Sequence, residues 1–172
     1  MDSTKFLKEK LITYDFYKWC LGVKLVGNIT KFKKILEIKI KNLIYVSTPL
    51  GFNKKNINSI LEISNLNNKK NSITGCLIYR SDLYLQYLEG PSKELENTYN
   101  KILKDKRHSD IIKLSENNTK RRLFANWAMR GDPLITSMWN NKDVMEGTVK
   151  KLNSVESFKI FETVSREIDQ FN

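Results

Sequence analysis

The middle of the chain alternates between two hydrophobic periods, and each change of period marks a new element. Short runs of β-branched and aromatic residues predict five strands, over residues 43–47, 72–79, 83–89, 111–116 and 123–130. Apolar residues three and four positions apart predict two amphipathic helices between them, one around Ile57 and Ile60 and one around Leu95 and Tyr99. The order β-α-β-β-α-β-β predicts an α+β fold, a ferredoxin-like sandwich with two helices on one face of the sheet.

The hairpin predicted at residues 80–82 carries a polar side chain inside an apolar strand. Its second strand reads LYLQYLEG, and a period of two places Gln86 on one face with Tyr84 and Leu88. The opposite face carries Leu83, Leu85, Tyr87 and Glu89. An amide buried without a partner costs about 1–3 kcal/mol, so we expect a polar group to meet Gln86. In an ordinary core this partner is a backbone group, whereas in a functional site it is a group that belongs to the site.

Helical patterns flank this domain on both sides. The pattern over residues 4–21 has a broad apolar face that contains Phe6, Leu7, Leu11, Phe16 and Trp19. Two later stripes contain Val144, Met145, Val149 and Leu152, and then Phe158, Phe161, Val164, Ile168 and Phe171. We predict a basic helical N-terminal extension over residues 1–42, a central domain over residues 43–131 and a C-terminal helical cap over residues 132–172. The extension is too short to bury a core alone, so we expect it to pack on the central domain or on another chain.

The charge of the chain is strongly positive, and the excess lies near its start. The net charge is +11 over 172 residues, and residues 1–41 contain ten lysines against four acids. This balance is typical of nucleic-acid binding, but a chain rich in both Lys and Asn also places lysines on solvated faces by default. No apolar run approaches the roughly 18 residues that span a membrane, and the first residues lack a signal-peptide core. We therefore expect a cytoplasmic protein with no membrane partner.

The common motifs of enzymes and metal sites are missing from the sequence. It contains no GxGxxG, Walker lysine loop, HExxH or GxSxG, and its two cysteines lack CxxC spacing. The single histidine excludes multi-histidine metal centres, and the aromatic octapeptide of RNA-binding sheets is also missing. We expect no catalytic activity, since about 40 residues after the last strand cannot hold a cyclase or phosphodiesterase domain.

Six short motifs together identify a family. They are LIYVS at 43–47, SNLNN at 64–68, ITG at 73–75, LQYLEG at 85–90, DKRH at 105–108 and FANWAM at 124–129. In this order and spacing they resemble the BLUF family, the blue-light sensors that hold FAD, from about Leu43 to Gly131. The resemblance implies a flavin-binding domain over residues 43–131 and FAD as the cofactor. Because the sequence has no glycine-rich loop to grip the phosphates, we expect FMN or riboflavin to be tolerated as well.

The resemblance also implies a role for individual residues. Tyr45 matches the photochemical tyrosine, Gln86 the glutamine between that phenol and the flavin, and Asn68 the asparagine that hydrogen-bonds the flavin ring. Trp127 and Met129 match the W-x-M pair of the last strand, whose side chains can exchange places beside the glutamine. Without the resemblance, Tyr45 reads as a buried strand tyrosine, and the W-x-M pair as ordinary core.

Five further positions match residues that surround the flavin in this family. Asp105, Arg107 and His108 match the segment that lies along the pyrimidine edge and ribityl chain, and Ile57 and Ile73 match residues that flank the ring. Without the resemblance, His108 reads as an imidazole favoured by a helix end. The chain departs from the family where Asn65 replaces a common arginine, and at the aromatic position before the glutamine, where it has Tyr84 and Leu85.

The resemblance therefore implies a short blue-light photoreceptor. We expect light to rearrange the hydrogen bonds among tyrosine, glutamine and flavin, with output through changed protein–protein contacts. A homo-oligomer, favoured as a dimer that uses a terminal segment, and a downstream protein are the expected partners. The alternative is a flavin-bearing nucleic-acid-binding regulator that uses the basic N-terminal segment.

Overall fold

A five-stranded sheet forms the centre of the protein. The computed structural model describes residues 40–132 and 139–170. The strands are β1 (Ile40–Pro49), β2 (Thr74–Tyr79), β3 (Tyr84–Pro91), β4 (His108–Thr119) and β5 (Arg130–Asp132). Their order is β4-β1-β3-β2-β5, and every neighbouring pair is antiparallel except β2 and β5, which run parallel. The predicted ferredoxin-like α+β fold is confirmed.

Helices cover both faces of this sheet. The described helices are α1 (Lys54–Lys70), α2 (Ser92–Ile102), α3 (Asn141–Met145) and α4 (Ser154–Gln170). On one face, Ile57 of α1 and Leu95 of α2 share a buried apolar cluster with residues of β1, β2 and β3. On the other face, Phe161 and Val164 of α4 belong to a second buried cluster. The sheet is thus the middle layer of three, and we call its two sides the α1–α2 face and the α4 face.

Strand β3 has the alternation predicted from its sequence. Tyr84 and Leu88 lie in the cluster of the α1–α2 face. Leu83, Leu85 and Tyr87 lie in the cluster of the α4 face. Both faces are covered, so all residues of β3 except the last are buried, including Gln86 and Glu89.

The predicted bounds of the last strand are wrong. Residues 123–130 were expected to be a strand, but regular pairing begins only at Arg130, which lies opposite Cys76 of β2. Residues 121–129 have no regular secondary structure, so Trp127 and Met129 precede the last strand and do not belong to it. Glu89 of the sheet and Asn65 of α1 accept hydrogen bonds from backbone N–H groups of this segment. Those groups are therefore satisfied without strand pairing.

Other bounds differ by a few residues. Strand β1 begins at Ile40, which pairs with Pro91 and Thr119, so the end of the predicted N-terminal extension is part of the sheet. The remainder of that extension, residues 1–39, lies outside the described residues. Met145 was expected in an apolar stripe, but its side chain is 86% exposed because the five-residue helix α3 packs through Val144 instead. Within the described ranges, no helix is both long enough and apolar enough to cross a membrane.

The packing of α4 on the sheet predicts a strong dependence of stability on one side chain. Phe161 is fully buried, and its ring lies 5.4 Å from that of Tyr87 and 6.4 Å from that of Phe124, between ring centroids. We expect Phe161→Ala to lower the free energy of unfolding by about 3–5 kcal/mol, since it leaves a cavity in the core. Denaturant unfolding of the variant and the parent protein under identical conditions measures the change.

The matched control is Val155→Ala on the same helix, where the side chain is 77% exposed. We expect this change to stay within about 0.5 kcal/mol of the parent protein. Equal effects of the two substitutions would contradict the packing of α4 against the α4 face.

Candidate functional site

A cavity of about 150 Å³ opens between α1 and α2 above the sheet. Its aliphatic walls are formed by Ile60 and Ile63 of α1, Leu77 and Leu88 of the sheet, and Ile102 of α2. Polar side chains complete its lining, among them Asn68, Gln86, Asp105, Arg107 and His108. Apolar walls with a few convergent polar groups are typical of sites for small organic ligands.

A chain of hydrogen bonds crosses the floor of this cavity. Tyr45 and Gln86 lie opposite each other on β1 and β3, and the Tyr45 hydroxyl donates to Oε1 of Gln86. The Gln86 Nε2 donates to the Met129 sulfur at 3.3 Å. A sulfur accepts and does not donate, so these two contacts together define the orientation of the amide.

The phenol of Tyr45 is held in its protonated form. Its side chain is buried, and this burial raises the pKa of Tyr45 far above its usual range, with smaller contributions in the same direction from Tyr99 and Asp105. The nearby Arg107 acts in the opposite direction. The Tyr45 ring lies 5.7 Å from that of Tyr99 and 6.2 Å from that of His108, between centroids. Tyr45 is therefore a hydrogen-bond donor throughout the neutral pH range.

His108 connects the start of β4 to both neighbouring elements. Its Nε2 lies 3.1 Å from the carbonyl oxygen of Ile102, and its Nδ1 lies 2.7 Å from the hydroxyl of Ser47. A carbonyl only accepts, so Nε2 carries the proton, and in the neutral ring Nδ1 accepts from Ser47. The ring thereby caps the last turn of α2 from the first residue of β4, and the helix end that the sequence suggested for this imidazole is the C-terminal end of α2.

Asp105 and Arg107 form an ion pair at the edge of the cavity. The Arg107 Nε donates to Oδ1 of Asp105 at 2.9 Å, and the Arg107 backbone N–H donates to the same oxygen at 2.9 Å. The side-chain hydrogen bond from Arg107 lowers the pKa of Asp105. Both charges are therefore present at neutral pH, and they give the rim of the cavity a donor and an acceptor side by side.

The predicted residues of α1 have different places around the cavity. Asn68 lines it, and its Nδ2 donates to the carbonyl oxygen of Ala128 at 2.8 Å. Ile57 and Ile73 are buried in the cluster of the α1–α2 face, but they are not among the residues that line the cavity. Ile60 and Ile63, one and two turns further along α1, form that wall instead.

Met129 and Trp127 lie on opposite faces of the sheet. Met129 is buried in the cluster of the α1–α2 face, beside Gln86. Trp127 packs against the cluster of the α4 face, and the guanidinium of Arg130 lies over its ring, 5.2 Å from the centroid. Of the predicted W-x-M pair, the methionine is therefore the neighbour of the glutamine.

Two residues to which the sequence assigned no role position Met129 and the segment before it. The side-chain oxygen of Asn65 accepts from the backbone N–H of Met129 at 2.9 Å. The carboxylate of Glu89 accepts from the backbone N–H groups of Leu123 and Phe124, each at 2.7 Å. One signal for Glu89 was available in the sequence, since an acid there continues an otherwise apolar face of β3.

A glycine of β2 lies in close contact with β3 and also hydrogen-bonds this segment. Gly75 donates its backbone N–H to the carbonyl oxygen of Trp127 at 3.1 Å. A Cβ atom at position 75 would collide with the carbonyl oxygen of Tyr87 on the neighbouring strand. The glycine of the ITG motif therefore has a packing reason.

Comparisons with known proteins agree with this geometry. The family BLUF, described as sensors of blue-light using FAD, matches residues 40–130. The subunit beta of the photoactivated adenylate cyclase of Euglena longa is 27% identical over 123 residues, which are 69% of this chain and 14% of that protein. The blue light- and temperature-regulated antirepressor BluF of Escherichia coli is 31% identical over 75 residues, 44% of this chain and 19% of that protein. The chain thus spans less than a fifth of the length of these two relatives.

Solved structures have the same fold. A bacterial light-regulated adenylyl cyclase is similar with a TM-score of 0.55 and 30% identity, over 72% of this chain and 36% of that one. The dark state of BlrB, a BLUF protein, is similar in fold with a TM-score of 0.64 and 22% identity, over 75% of this chain and 97% of that one. The family match covers more than half of the chain, from β1 to the start of β5. With the Tyr45–Gln86 pair in the cavity that this match encloses, the chain belongs to the BLUF family of blue-light sensors.

Proposed function

We propose that this chain is a blue-light photoreceptor that binds FAD non-covalently in the cavity between α1 and α2. The observation that carries the proposal is the hydrogen-bond chain from Tyr45 through Gln86 to Met129 on the floor of that cavity. The chain links a tyrosine that is protonated at neutral pH, an amide with a defined orientation and a methionine in the irregular segment just before β5. A change in one of these hydrogen bonds can therefore change the packing of that segment.

The residues of the cavity suit a flavin. Its aliphatic walls match the two apolar faces of an isoalloxazine ring, and the amides of Asn68 and Gln86 match a rim that both donates and accepts. We assign Asp105, Arg107 and His108 to the polar edge, and Ile57 and Ile73 to the packing behind the walls. The cationic side chains of Lys101 and Arg107 also line the cavity. FAD is the proposed cofactor, and FMN or riboflavin is tolerated because the sequence has no glycine-rich loop that would grip phosphates.

The photochemistry begins at Tyr45. A flavin held by these residues would supply the absorption of blue light and the acceptor for an electron and a proton. Tyr45 is the donor of both, and its hydroxyl proton leaves along the existing hydrogen bond to Oε1 of Gln86. When electron and proton return, the Gln86 amide is left in a second arrangement, and the altered hydrogen bonds produce a small, reversible red shift.

Rearrangement of Gln86 is transmitted through Met129. If the amide turns over, Nε2 faces the Tyr45 oxygen, which can accept, and Oε1 faces the Met129 sulfur, which cannot donate. The Gln86–Met129 contact is lost in that arrangement. Met129 is then free to exchange with Trp127, which lies two residues earlier on the other face of the sheet.

The proposed output is a change in protein–protein contacts. We assign the chain a sensory and not a catalytic role in the cytoplasm. We further propose that it forms a homo-oligomer, favoured as a dimer, through a terminal segment, and that it signals to a downstream protein. The basic N-terminal segment also supports the less favoured alternative of a flavin-bearing regulator that binds nucleic acid.

The cofactor assignment predicts that the purified protein is yellow. Acid or heat should release the flavin intact, because no covalent link holds it, and chromatography should identify FAD. Reloading the flavin-free protein with FMN or riboflavin should restore colour with only modest loss of affinity. Protein that stays colourless after incubation with all three flavins would end the assignment.

The photochemical assignment predicts the effect of two substitutions. Tyr45→Phe removes the donor and Gln86→Ala removes the amide, so both variants should bind flavin and lose the reversible red shift. Tyr79→Phe is the matched control, since Tyr79 packs in the same cluster but does not line the cavity. Difference absorption spectra in darkness and under blue light measure the shift. A normal photocycle in either of the first two variants contradicts the mechanism.

The output assignment predicts a homo-oligomer whose contacts depend on light. Light scattering of the full chain should report at least a dimer and a change between darkness and blue light. A chain that begins at Lys39 keeps β1 whole and tests whether the N-terminal segment makes the contacts. A full chain that stays monomeric in both states refutes the proposed oligomer. Salt-titrated binding of nucleic acid to the same two chains tests the alternative.

A further inference from the structure

Glu89 is a fully buried carboxylate that the proposed photochemistry does not use. It lies on β3 three residues after Gln86, and its side chain faces the α4 face of the sheet. Thr74 Oγ1 donates to it at 2.9 Å and Tyr87 Oη at 3.1 Å, and two backbone N–H groups, those of Leu123 and Phe124, donate at 2.7 Å each. Acidic residues are almost never fully buried unless they are paired, so this arrangement calls for an explanation.

The four donors occupy both oxygens of the carboxylate. Oε1 accepts from Thr74 and Phe124, and Oε2 accepts from Tyr87 and Leu123. The nearby cation Arg122 donates from Nη1 to the Thr74 hydroxyl at 2.8 Å and to the Glu89 carbonyl oxygen at 3.0 Å. A carboxylate accepts at both oxygens and so satisfies two backbone N–H groups and two hydroxyls at once. An amide has a single acceptor oxygen and cannot satisfy all four donors.

Strand β3 therefore holds the irregular segment 123–129 at both of its ends. Glu89 holds the first end through the backbone of Leu123 and Phe124, and Gln86 contacts the last residue, Met129. The two contacts from β3 differ in strength, because backbone hydrogen bonds to a buried carboxylate are strong and an amide-to-sulfur contact is weak. At the Met129 end the backbone is held by α1 instead, since Asn65 accepts from the Met129 N–H and Asn68 donates to the Ala128 carbonyl oxygen. Trp127 lies between the two ends of the segment, on the α4 face.

We propose that Glu89 is a positioning residue that anchors the 123–124 end of this segment, so that rearrangement of Gln86 moves only the part that follows. Phe124 then keeps its contact with Tyr87, at 5.5 Å between ring centroids, and with Phe161 of α4, while Trp127 and Met129 change places. Without the anchor, the same rearrangement displaces Phe124 and reaches the centre of α4. The proposal rests on the proposed function, since it requires that light rearranges Gln86.

The test is residue-resolved amide hydrogen exchange of the full chain with bound flavin, in darkness and under blue light. In the parent protein, the Leu123 and Phe124 amides should be protected in both states, and the light-induced change should start after Phe124. Glu89→Gln replaces one acceptor oxygen with a donor, which then faces the N–H of either Leu123 or Phe124. In this variant the exchange of at least one of these two amides should rise about ten- to a hundredfold in darkness, the factor that corresponds to losing a hydrogen bond to a charged group.

The light-minus-dark difference separates anchoring from a merely structural role. In the Glu89→Gln variant, the change should extend to Phe124 and to the α4 amides around Phe161, while the red shift itself is kept. Thr74→Val is the matched control, since it removes a donor to the same carboxylate and leaves both backbone hydrogen bonds in place. Its light-minus-dark pattern should match that of the parent protein.

The outcomes are distinct. The same light-minus-dark pattern in Glu89→Gln, Thr74→Val and the parent protein would overturn the anchoring role, with the photochemistry intact. Absence of a light-induced red shift in the parent protein would instead refute the proposed function. If Glu89→Gln does not fold, Glu89→Asp provides the same comparison, because it keeps the charge but withdraws it by one methylene group from Leu123 and Phe124.

Discussion

Burial of strand β3 on both faces is the constraint on which the rest of the structure depends. All of its residues except the last are buried, so its two polar side chains, Gln86 and Glu89, must find partners inside the protein. Because they are three residues apart, they point to opposite faces of the sheet. Each of them meets the segment between β4 and β5, which therefore takes its conformation from the central strand and not from a ladder of its own.

This arrangement places the cavity and the packing of α4 on two sides of one strand. The cavity with Tyr45 lies on the α1–α2 face, and Tyr87, Phe124 and Phe161 pack together on the α4 face. Segment 123–129 contributes to both, with Met129 at the cavity and Phe124 in the cluster of the α4 face. A small rearrangement of one amide therefore has a short route across the sheet, through residues that touch both clusters.

The departure at Asn65 has a structural consequence of its own. Its side-chain oxygen accepts from the backbone N–H of Met129, which an arginine, with donors only, cannot do. Together with Asn68, which donates to Ala128, it ties the end of the segment to α1. In this chain the methionine beside Gln86 is thus held by its backbone as well as by its sulfur.

The sequence by itself determined the α+β fold, the two faces of β3 and several of the residues that line the cavity, because period and motif are local properties of the chain. Alternation placed Gln86 and Tyr87 on opposite faces, and six short motifs indicated Tyr45, Asn68 and the Asp105–Arg107 pair. Only the tertiary structure decided that residues 121–129 are irregular, that Trp127 lies across the sheet from Met129, and that Glu89 has four donors. The physical reason is that contacts from distant elements hold that segment, and such contacts leave no period in the sequence for a pattern to detect.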